Sequence, residues 1–325
     1  MAHALSETEL LALVDRLADG QWHSGEDLAQ AAGISRAALA KRIARLADWQ
    51  LSVEARTGLG YRLPNAIERL DAQRLQAALP ELRISVLTVT DSTSTQAMAA
   101  PADADPQVFL AELQTAGRGR RGRSWVSPFG AQLALSLAWS FDAIPPQLGA
   151  LPLAVGVCCA QVLRAQGLAA VGLKWPNDIQ VAGRKLGGIL LEHRGEAGGR
   201  CRIVAGIGLN LCVPALPDDQ VQQPWINLDE ALRAAGRSPL SRNALAIELL
   251  RALHELFSRY GTGGFAPWAA AWAVFDVTRD RVVRVLQGEH GFEGRACGVD
   301  ADGALIVEAA GQRHRLHSGE VSVRI

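Results

Sequence analysis

The stretch Gln114-Thr-Ala-Gly-Arg-Gly-Arg-Arg-Gly-Arg123 decides how the rest of the sequence is interpreted. It alternates four arginines with three glycines and has no apolar side chain larger than alanine, so it cannot pack a core. Each glycine inside a helix also costs about 1 kcal/mol relative to alanine. Glycine lets the backbone approach a ligand, and the arginine fork matches phosphate and carboxylate oxygens. We predict a mobile loop that closes over a phosphorylated small molecule; a solvated basic turn or a nucleic-acid patch is the alternative.

Strand-like segments flank this loop, since residues 108–111 before it and residues 133–139 after it are mostly apolar. A loop held between two strands is a site on a scaffold rather than a tail. Apolar runs also predict strands over residues 84–89 and 201–212, and a helix over residues 151–165. Further helices are predicted over residues 242–260 and 265–272.

The segment Val171-Gly-Leu-Lys-Trp-Pro-Asn-Asp178 is the second informative stretch. Its strand is predicted to end at Lys174, which leaves Asn177 and Asp178 in a turn, where function is concentrated. The following hairpin carries Lys185 beside two glycines. This lysine either meets an anion or is an ordinary surface charge.

Three shorter features have both a structural and a functional interpretation. The hydroxyl-rich turn Asp91-Ser-Thr-Ser-Thr-Gln96 either caps a helix or binds a small polar ligand. Trp125 follows the arginine loop and is a candidate platform for a nucleobase, although a core tryptophan is the more common case. The sequence Gly206-Ile-Gly208 lacks the third glycine and the helix of a dinucleotide fingerprint, so dinucleotide binding is rejected.

Residues 1–64 predict a winged helix-turn-helix. Ser6 with Glu9 forms a capping box, and Ser24 and Ser35 are positioned to begin a second and a third helix. Residues 51–63 then predict two short strands around a turn. From residue 35 to residue 46 there are four basic side chains and no acid, which suits DNA phosphates. A winged helix used only for protein contacts is the alternative.

The remaining segments complete an α/β (α+β) architecture. Residues 65–80 are predicted to be a short connecting helix that links the first domain to a central domain, residues 81–273. Residues 274–325 contain five short strand patterns at regular spacing, with a turn at Asp300-Ala-Asp-Gly303. They predict a small β-barrel of SH3-like size.

Composition excludes several classes of protein. The chain has 325 residues with 33 basic and 33 acidic side chains, so no global charge draws it to nucleic acid or membrane. Its five cysteines are odd in number and form no C-x-x-C, which favours a reducing cytoplasm over a disulfide framework. The N-terminus does not resemble a signal peptide. No apolar run is expected to span a membrane.

The chain resembles the bifunctional biotin–protein ligases and biotin operon repressors of bacteria. The resemblance is carried, in the family's order, by Asp91-Ser-Thr, the arginine loop, Lys174-Trp-Pro-Asn-Asp178, Lys185-Leu-Gly-Gly-Ile-Leu190, Gly206-Ile-Gly-Leu-Asn210 and Gly319-Glu-Val-Ser-Val-Arg324. His23-Ser-Gly-Glu26 and Ser35-Arg-Ala-Ala38 are similar to the family's DNA-binding domain. The resemblance implies a central mixed-sheet domain like that of class II synthetases.

The family's chemistry needs no nucleophile from the enzyme. The biotin carboxylate attacks the α-phosphate of ATP, giving biotinyl-adenylate and pyrophosphate, and a lysine of a biotin carboxyl carrier protein then takes the biotin. The enzyme contributes positioning and charge stabilisation, which suits four arginines. In the family the adenylate-bound protein forms a homodimer that binds operator DNA. The glycines of the loop predict that it becomes ordered when the ligand binds.

The resemblance also implies a role for each matching residue. Biotin would be held by Ser92, Thr93, Gln114, Gly117, Arg118, Lys185 and Gly188. ATP and the adenylate would be held by Arg120, Arg121, Arg123, Trp125, Lys174, Asn177, Asn210 and Arg324. Operator DNA would be contacted by Ser35, Arg36, Ala37, Lys41 and Arg45. The candidate catalytic residues are Arg118, Lys185 and Asp178, and Mg²⁺ would enter with ATP near Asp178.

Two alternative functions remain, and one residue differs from the family's pattern. A lipoate or related acyl-carrier ligase would use the same adenylation chemistry, and a ligand-sensing regulator would bind without turnover. Asp178 is our hypothetical base for the incoming lysine, because it is the only acid from residue 174 to residue 185. Position 94 is a serine here, whereas the family commonly has asparagine, so we assign no ligand contact to Ser94.

Overall fold

A computed structural model of the chain describes residues 6–195, 199–214, 223–287, 290–317 and 322–324. Three parts follow one another along the chain. They are an N-terminal helical part with a two-stranded wing, a seven-stranded mixed sheet layered with helices, and a five-stranded antiparallel sheet. The predicted α/β class and the predicted order of the three parts are confirmed.

The N-terminal part is the predicted winged helix-turn-helix. Its elements are α1 (Glu7–Leu17), α2 (Gly25–Ala31), α3 (Arg36–Arg45), β1 (Glu54–Arg56) and β2 (Gly60–Arg62). The capping box of Ser6 and Glu9 begins α1, and the Ser24 and Ser35 hydroxyls cap α2 and α3. Leu39 is buried beneath α3, whereas Lys41 and Arg45 are exposed, so the basic side chains of α3 lie on its outer face.

The connection to the central sheet is less helical than predicted. Only Ala72–Ala78 forms a helix, α4. Upstream, the backbone donors are taken by tertiary partners, because Ile67 N donates to Ala18 O at 2.8 Å and Leu70 N donates to Glu112 Oε1 at 2.7 Å. The predicted helix over residues 65–80 is therefore wrong for its first half, where distant acceptors replace the helical ones.

The central sheet has the strand order β3-β4-β5-β9-β8-β7-β6. Only β3 and β4 are parallel neighbours, and every other pairing is antiparallel. The strands are β3 (Arg83–Thr90), β4 (Gln107–Gln114), β5 (Gln132–Phe141), β6 (Val171–Lys174), β7 (Asp178–Val181), β8 (Arg184–Gly195) and β9 (Cys201–Asn210). The helices are α5 (Thr93–Ala99), α6 (Leu151–Ala165), α7 (Leu228–Ala234), α8 (Arg242–Gly263) and α9 (Ala266–Phe275).

Helix α7 is not predicted from the sequence. The side chain of its N-cap, Asn227, forms no capping hydrogen bond. It bonds instead to both backbone groups of Val213, each at 2.9 Å. A contact with a distant segment therefore positions the start of this helix, and a local pattern cannot reveal it.

The two faces of the sheet differ in side-chain size. Cross-strand pairs place Gly188 beside Gly208, and Gly208 beside Ala134, on one face. Their chain neighbours, such as Leu135 and Ile207, point to the other face and belong to the main core with α6, α8 and α9. Residues on alternate sides of a strand line opposite faces, so the glycines let other groups come close to one face, while core side chains fill the other.

Helix α6 corrects the expectation that no apolar run is long enough to span a membrane. The window Leu148–Ala165 has the required length and hydropathy. Helix α6 is nevertheless mostly buried and packs in the main core of the central domain. Its apolar composition is accounted for by this central position, since a helix that is hydrophobic all round belongs inside a core.

The C-terminal sheet has the order β13-β12-β11-β10-β14. Its strands are β10 (Val282–Gln287), β11 (His290–Val299), β12 (Leu305–Ala309), β13 (Gln312–Leu316) and β14 (Ser322–Arg324), as the predicted spacing required. Trp175 Nε1 donates to Gly303 O at 3.0 Å and so joins the turn between β6 and β7 to this sheet. Residues 319–321 and the side chain of Arg324 lie outside the described residues.

The N-terminal part shares its core with the central domain. The rings of Trp49 and Phe129 are stacked with centroids 5.0 Å apart and planes 3° apart. Leu113 from β4 belongs to the same buried cluster. Phe129 lies in the segment between the arginine loop and β5, so the winged helix-turn-helix contacts the segment that follows Trp125.

Candidate functional site

A buried polar cluster lies where β4 ends and α5 begins. The Oε1 atom of Gln114 accepts from the Thr93 backbone N at 2.8 Å and from Thr93 Oγ1 at 3.2 Å. Ser92 is the N-cap residue of α5, yet its side chain forms no capping hydrogen bond. The hydroxyl-rich turn therefore does more than cap a helix, because Thr93 pairs with Gln114 instead.

The arginine loop folds back on itself as a short hairpin. Gly119 N donates to Arg123 O at 2.7 Å, and Trp125 N donates to Gly117 O at 2.8 Å. A β-carbon on Gly117 would lie 2.3 Å from Trp125 O, so only glycine permits this closure. Arg121 adopts a positive φ of 57° at the tip. The loop thereby presents its arginines from a compact turn.

Trp125 packs on the glycine face of the sheet. A β-carbon on Gly208 would lie 2.6 Å from Trp125 Cε2, and one on Gly188 would lie 3.6 Å from Trp125 Cζ3. The indole Nε1 donates to Gln132 Oε1 at 2.8 Å, and Gln132 in turn donates to Asn210 Oδ1 at 2.9 Å. The indole is half-buried and held at one edge, which suits a platform for a flat aromatic ligand.

Lys185 and Asp178 form the innermost ion pair of the site. Lys185 Nζ lies 2.7 Å from Asp178 Oδ1, and both side chains are about 15% exposed. Lys185 Nζ also lies 5.5 Å from the centroid of the Trp125 ring, within cation–π range. The lysine sits between the indole and the carboxylate, so a ligand on the glycine face meets it directly.

Arg120 connects the arginine loop to the turn between β6 and β7. Its Nη1 donates to Asn177 Oδ1 at 3.1 Å, and Asn177 is fixed by donating its own Nδ2 to Ile189 O at 2.8 Å. Burial lowers the pKa of Arg120, and repulsion from Arg121 acts in the same direction, while Asp178 opposes both. The guanidinium nevertheless stays charged, since arginine pKa values start above 12.

The structure brings together most of the residues predicted for the ligand. Arg118 Nη2 donates to Glu192 Oε2 at 2.6 Å on a partly exposed part of β8. Arg121 and Arg123 are exposed beside it, and Lys174 is the cross-strand neighbour of Asp178. The predicted DNA residues form a separate exposed surface: Ser35, Arg36, Ala37, Lys41 and Arg45.

Three residues that contact this site are absent from the sequence predictions. Gln132 orients Trp125, Glu192 pairs with Arg118, and Ser136 bonds to Thr93 at 2.8 Å. Gln132 and Ser136 are polar residues at alternate positions of an apolar strand, which is the only sequence signal they offer. Glu192 offers none, because a single glutamate in a strand is ordinarily a surface charge.

The described residues form no metal cluster and contain few candidate nucleophiles. Within the described ranges no group of three His, Cys, Asp or Glu side chains is arranged to hold a metal ion. Burial raises the pKa of Cys158 to about 12 and also raises the pKa values of Cys159 and Cys212. These thiols are therefore protonated and unreactive at neutral pH.

Family models match all three parts of the chain. The model of the Biotin/lipoate A/B protein ligase family matches residues 86–210. The model of the Biotin protein ligase C terminal domain matches residues 280–324, and the model of an HTH domain matches residues 9–62. The arginine loop, Lys185 and Asn210 all fall within the first of these matches.

Relatives align along nearly the full length. The Bifunctional ligase/repressor BirA of Salmonella typhimurium is 39% identical over 315 residues, covering 97% of each chain. The protein of the same name from Escherichia coli is 38% identical over the same shares. The solved biotin protein ligase of Aquifex aeolicus in complex with biotin and ATP covers 74% of this chain and 98% of its own, with a TM-score of 0.63 and 23% identity. That structure supports the fold.

We predict that Gly208→Ala weakens the site by displacing the indole of Trp125. Overpacking of this kind costs about 1–3 kcal/mol, which corresponds to roughly a 5- to 150-fold loss of affinity. Calorimetric titration with ATP measures the loss. Gly149→Ala is the matched control, because a β-carbon there meets nothing within 4 Å. Equal affinity in the two variants would show that Trp125 does not contact the nucleotide.

Proposed function

Because the chain belongs to the family of bifunctional biotin–protein ligases and biotin operon repressors, we propose that its central site performs two successive reactions. ATP first activates biotin as biotinyl-5'-adenylate with release of pyrophosphate. A lysine amine of a biotin carboxyl carrier protein then attacks the acyl carbon, and AMP leaves. We assign the N-terminal winged helix to operator DNA and place the protein in the cytoplasm, which suits its five free cysteines.

The observation that carries this proposal is the arrangement around Trp125. The indole lies on Gly208 and beside Gly188, Lys185 stands over its ring, and the arginine loop closes the same side. On this face of the sheet the indole suits a flat base and the arginines suit a phosphate. Lys185 suits a carboxylate. The phosphate and the carboxylate are the groups that react when an acyl-adenylate forms, because the carboxylate becomes the acyl group joined to the phosphate of the nucleotide.

In the first reaction the protein has to bring two anions together. Lys185 and Arg118 are assigned to the biotin carboxylate, and Arg120, Arg121 and Arg123 to the phosphates. Asn177, already bonded to Arg120, directs that guanidinium toward the nucleotide. Negative charge grows on the phosphate oxygens as the carboxylate attacks, so fixed cations stabilise the transition state more than the ground state.

The polar cluster of Thr93 and Gln114 is assigned to the ureido ring of biotin. Both side chains are less than 10% exposed, and their mutual hydrogen bonds fix their orientation. Ser92, Gly117 and Gly188 are likewise assigned to biotin. Lys174, Asn210 and Arg324 are assigned to the nucleotide end, where Asn210 is held by Gln132.

Mg²⁺ is proposed to enter with the phosphates of ATP and to neutralise part of their charge. Asp178 is the nearest carboxylate to the predicted phosphate region, but Lys185 already neutralises it. The donor set of this chain therefore suits a metal held mainly by the nucleotide oxygens. The arginines remain the protein's own contribution to charge stabilisation.

The arginine loop is proposed to protect the mixed anhydride from water. Hydrogen bonds between its two arms close the loop on itself, and the Arg118–Glu192 pair attaches it to β8. The pair is partly exposed and contributes little by itself, so a bound ligand can replace it. Ordering of this segment on the adenylate would make it a lid.

The test of this function is direct. The chain is mixed with ATP, Mg²⁺, biotin and a carrier domain, and mass spectrometry follows the carrier. We expect the addition of one biotinyl group and no addition when the target lysine of the carrier is replaced by arginine. Addition of lipoate but not biotin would select the acyl-carrier alternative. Biotin binding without any product would select a ligand-sensing regulator.

We predict that Asp178→Asn slows transfer of biotin from preformed adenylate by about 10²-fold, the size of a general-base contribution. Single-turnover transfer to the carrier measures it. Pyrophosphate exchange in the same variant measures adenylation, which falls as well if Asp178 acts only through Lys185. Asp142→Asn is the control, since that carboxylate is fully exposed. Transfer at the wild-type rate would remove Asp178 from the reaction.

A homodimer is the proposed DNA-binding species. One exposed α3 carries basic side chains for a single half-site, and two copies related by a two-fold axis read a palindrome. The stacked rings of Trp49 and Phe129 attach this surface to the segment that holds Trp125. Ligand at the central site is therefore positioned to influence both dimer formation and DNA binding.

We predict that biotin with ATP increases the affinity of the chain for a palindromic operator, because only the ligand-bound form dimerises. Sedimentation velocity gives the oligomeric state, and fluorescence anisotropy with labelled operator gives the affinity. Lys41→Ala should weaken DNA binding and leave biotinylation unchanged. Equal operator affinity with and without ligand would contradict ligand-controlled repression.

A further inference from the structure

Three buried hydroxyls run in line into the side chain of Gln114. Ser94 Oγ lies 3.1 Å from Ser136 Oγ, which lies 2.8 Å from Thr93 Oγ1, and Thr93 Oγ1 lies 3.2 Å from Gln114 Oε1. Ser136 is completely buried, and the other three side chains are less than 10% exposed. They connect β5, α5 and the end of β4 behind the proposed ureido pocket.

The direction of this chain follows from its acceptor end. The Thr93 backbone N–H donates to Gln114, so the atom facing it is the amide oxygen. If each hydroxyl donates toward that oxygen, Ser94 donates to Ser136, Ser136 to Thr93, and Thr93 to Gln114. In the opposite direction the Ser94 proton would need another acceptor, and the described residues give this hydroxyl no hydrogen bond except that to Ser136. A buried donor without a partner is costly.

This direction determines what the pocket offers a ligand. A hydroxyl has one proton and two lone pairs, so Thr93 has given its proton to Gln114 and accepted one from Ser136. One lone pair remains for an N–H of the ligand. The amide nitrogen of Gln114 points away from Thr93, toward Gly117: a β-carbon on that glycine would lie 3.2 Å from it. The cluster therefore keeps one acceptor, on Thr93, and one donor group, the amide nitrogen of Gln114.

Gly206 makes the chain of hydroxyls possible. Its cross-strand neighbour is Ser136, and a β-carbon on it would lie 2.6 Å from Ser94 Oγ and 3.4 Å from Ser136 Oγ. Any larger residue would push the two serines apart. The short side chain at position 94 fits the same space, which gives a physical reason for serine there.

We propose that Ser136, with Ser94, is a positioning pair that orients Thr93 and Gln114 to receive a ring bearing an N–H next to a carbonyl. This deepens the proposed function and rests on it, since it takes Thr93 and Gln114 to be the ureido contacts. The pair thereby favours a cyclic urea over an acyl chain that ends in a disulfide ring. Ser136 touches Thr93 and acts through it.

The test is a comparison of ligands across matched variants, with calorimetric affinities and steady-state kinetics. Ser136→Ala is expected to raise the KM and Kd for biotin about three- to tenfold, the range of one net hydrogen bond. The KM for ATP should stay unchanged. Ser94→Ala should act in the same direction with a smaller effect and keeps the test available if the first variant does not fold. Ser140→Ala is the control, because it removes a strand β5 hydroxyl that bonds to Asp105 instead.

Biotin analogues methylated on a ureido nitrogen provide the second readout. Ser136→Ala and the wild type should bind equally well the analogue that is methylated on the nitrogen proposed to donate to Thr93. That analogue has already lost the hydrogen bond to Thr93. Desthiobiotin, which keeps both N–H groups, should lose as much affinity as biotin. An unchanged ratio of biotin to N-methyl affinity in Ser136→Ala would overturn the inference. A wild-type chain that does not bind biotin would overturn the proposed function and the inference with it.

Discussion

The buried ion pair between Glu112 and Arg242 is the interaction on which the arrangement of the connecting segment, the central sheet and helix α8 depends. Glu112 lies on β4 and Arg242 at the start of α8, and both side chains are less than 5% exposed. Glu112 also accepts from Leu70 N, and Arg242 donates to Gln132 O at 2.9 Å. One pair therefore ties the connecting segment, the sheet and a core helix together.

Burying two charges is costly unless their remaining hydrogen-bonding groups are satisfied. Here the guanidinium also donates to Ala111 O, so the partners surround it on the sheet side. A hydrophobic pair of similar volume would fill the space but would not specify which backbone groups meet. The pair thus selects one position for the connecting segment. Because Gln132 is the residue that orients Trp125, the same pair also stabilises the base of the proposed nucleotide site.

The site itself has a different physical basis. Small residues on one face of the sheet create space, and two loops fill it with an indole, a lysine and arginines. No activated thiol or metal cluster is found among the described residues of the central domain. The chemistry proposed for it needs none, because an acyl-phosphate anhydride is formed and broken by groups that belong to the substrates. What the protein provides is the placement of charge and the exclusion of water.

The sequence by itself determined the class of fold and the order of its three parts, and it supplied most of the charged residues that we propose for the site. Alternation and helical spacing are local properties, so the strands around the arginine loop, helix α6 and the helix caps could be predicted from them. Only the tertiary structure decided which partner each side chain takes: Lys185 with Asp178, Gln132 with Trp125, and Ser136 with Thr93. It also decided the start of α7 and the extended path of residues 65–71, because distant backbone groups supply those hydrogen bonds. The physical reason is that a buried polar group is satisfied by whatever lies next to it in space, and distance along the chain does not record that neighbour.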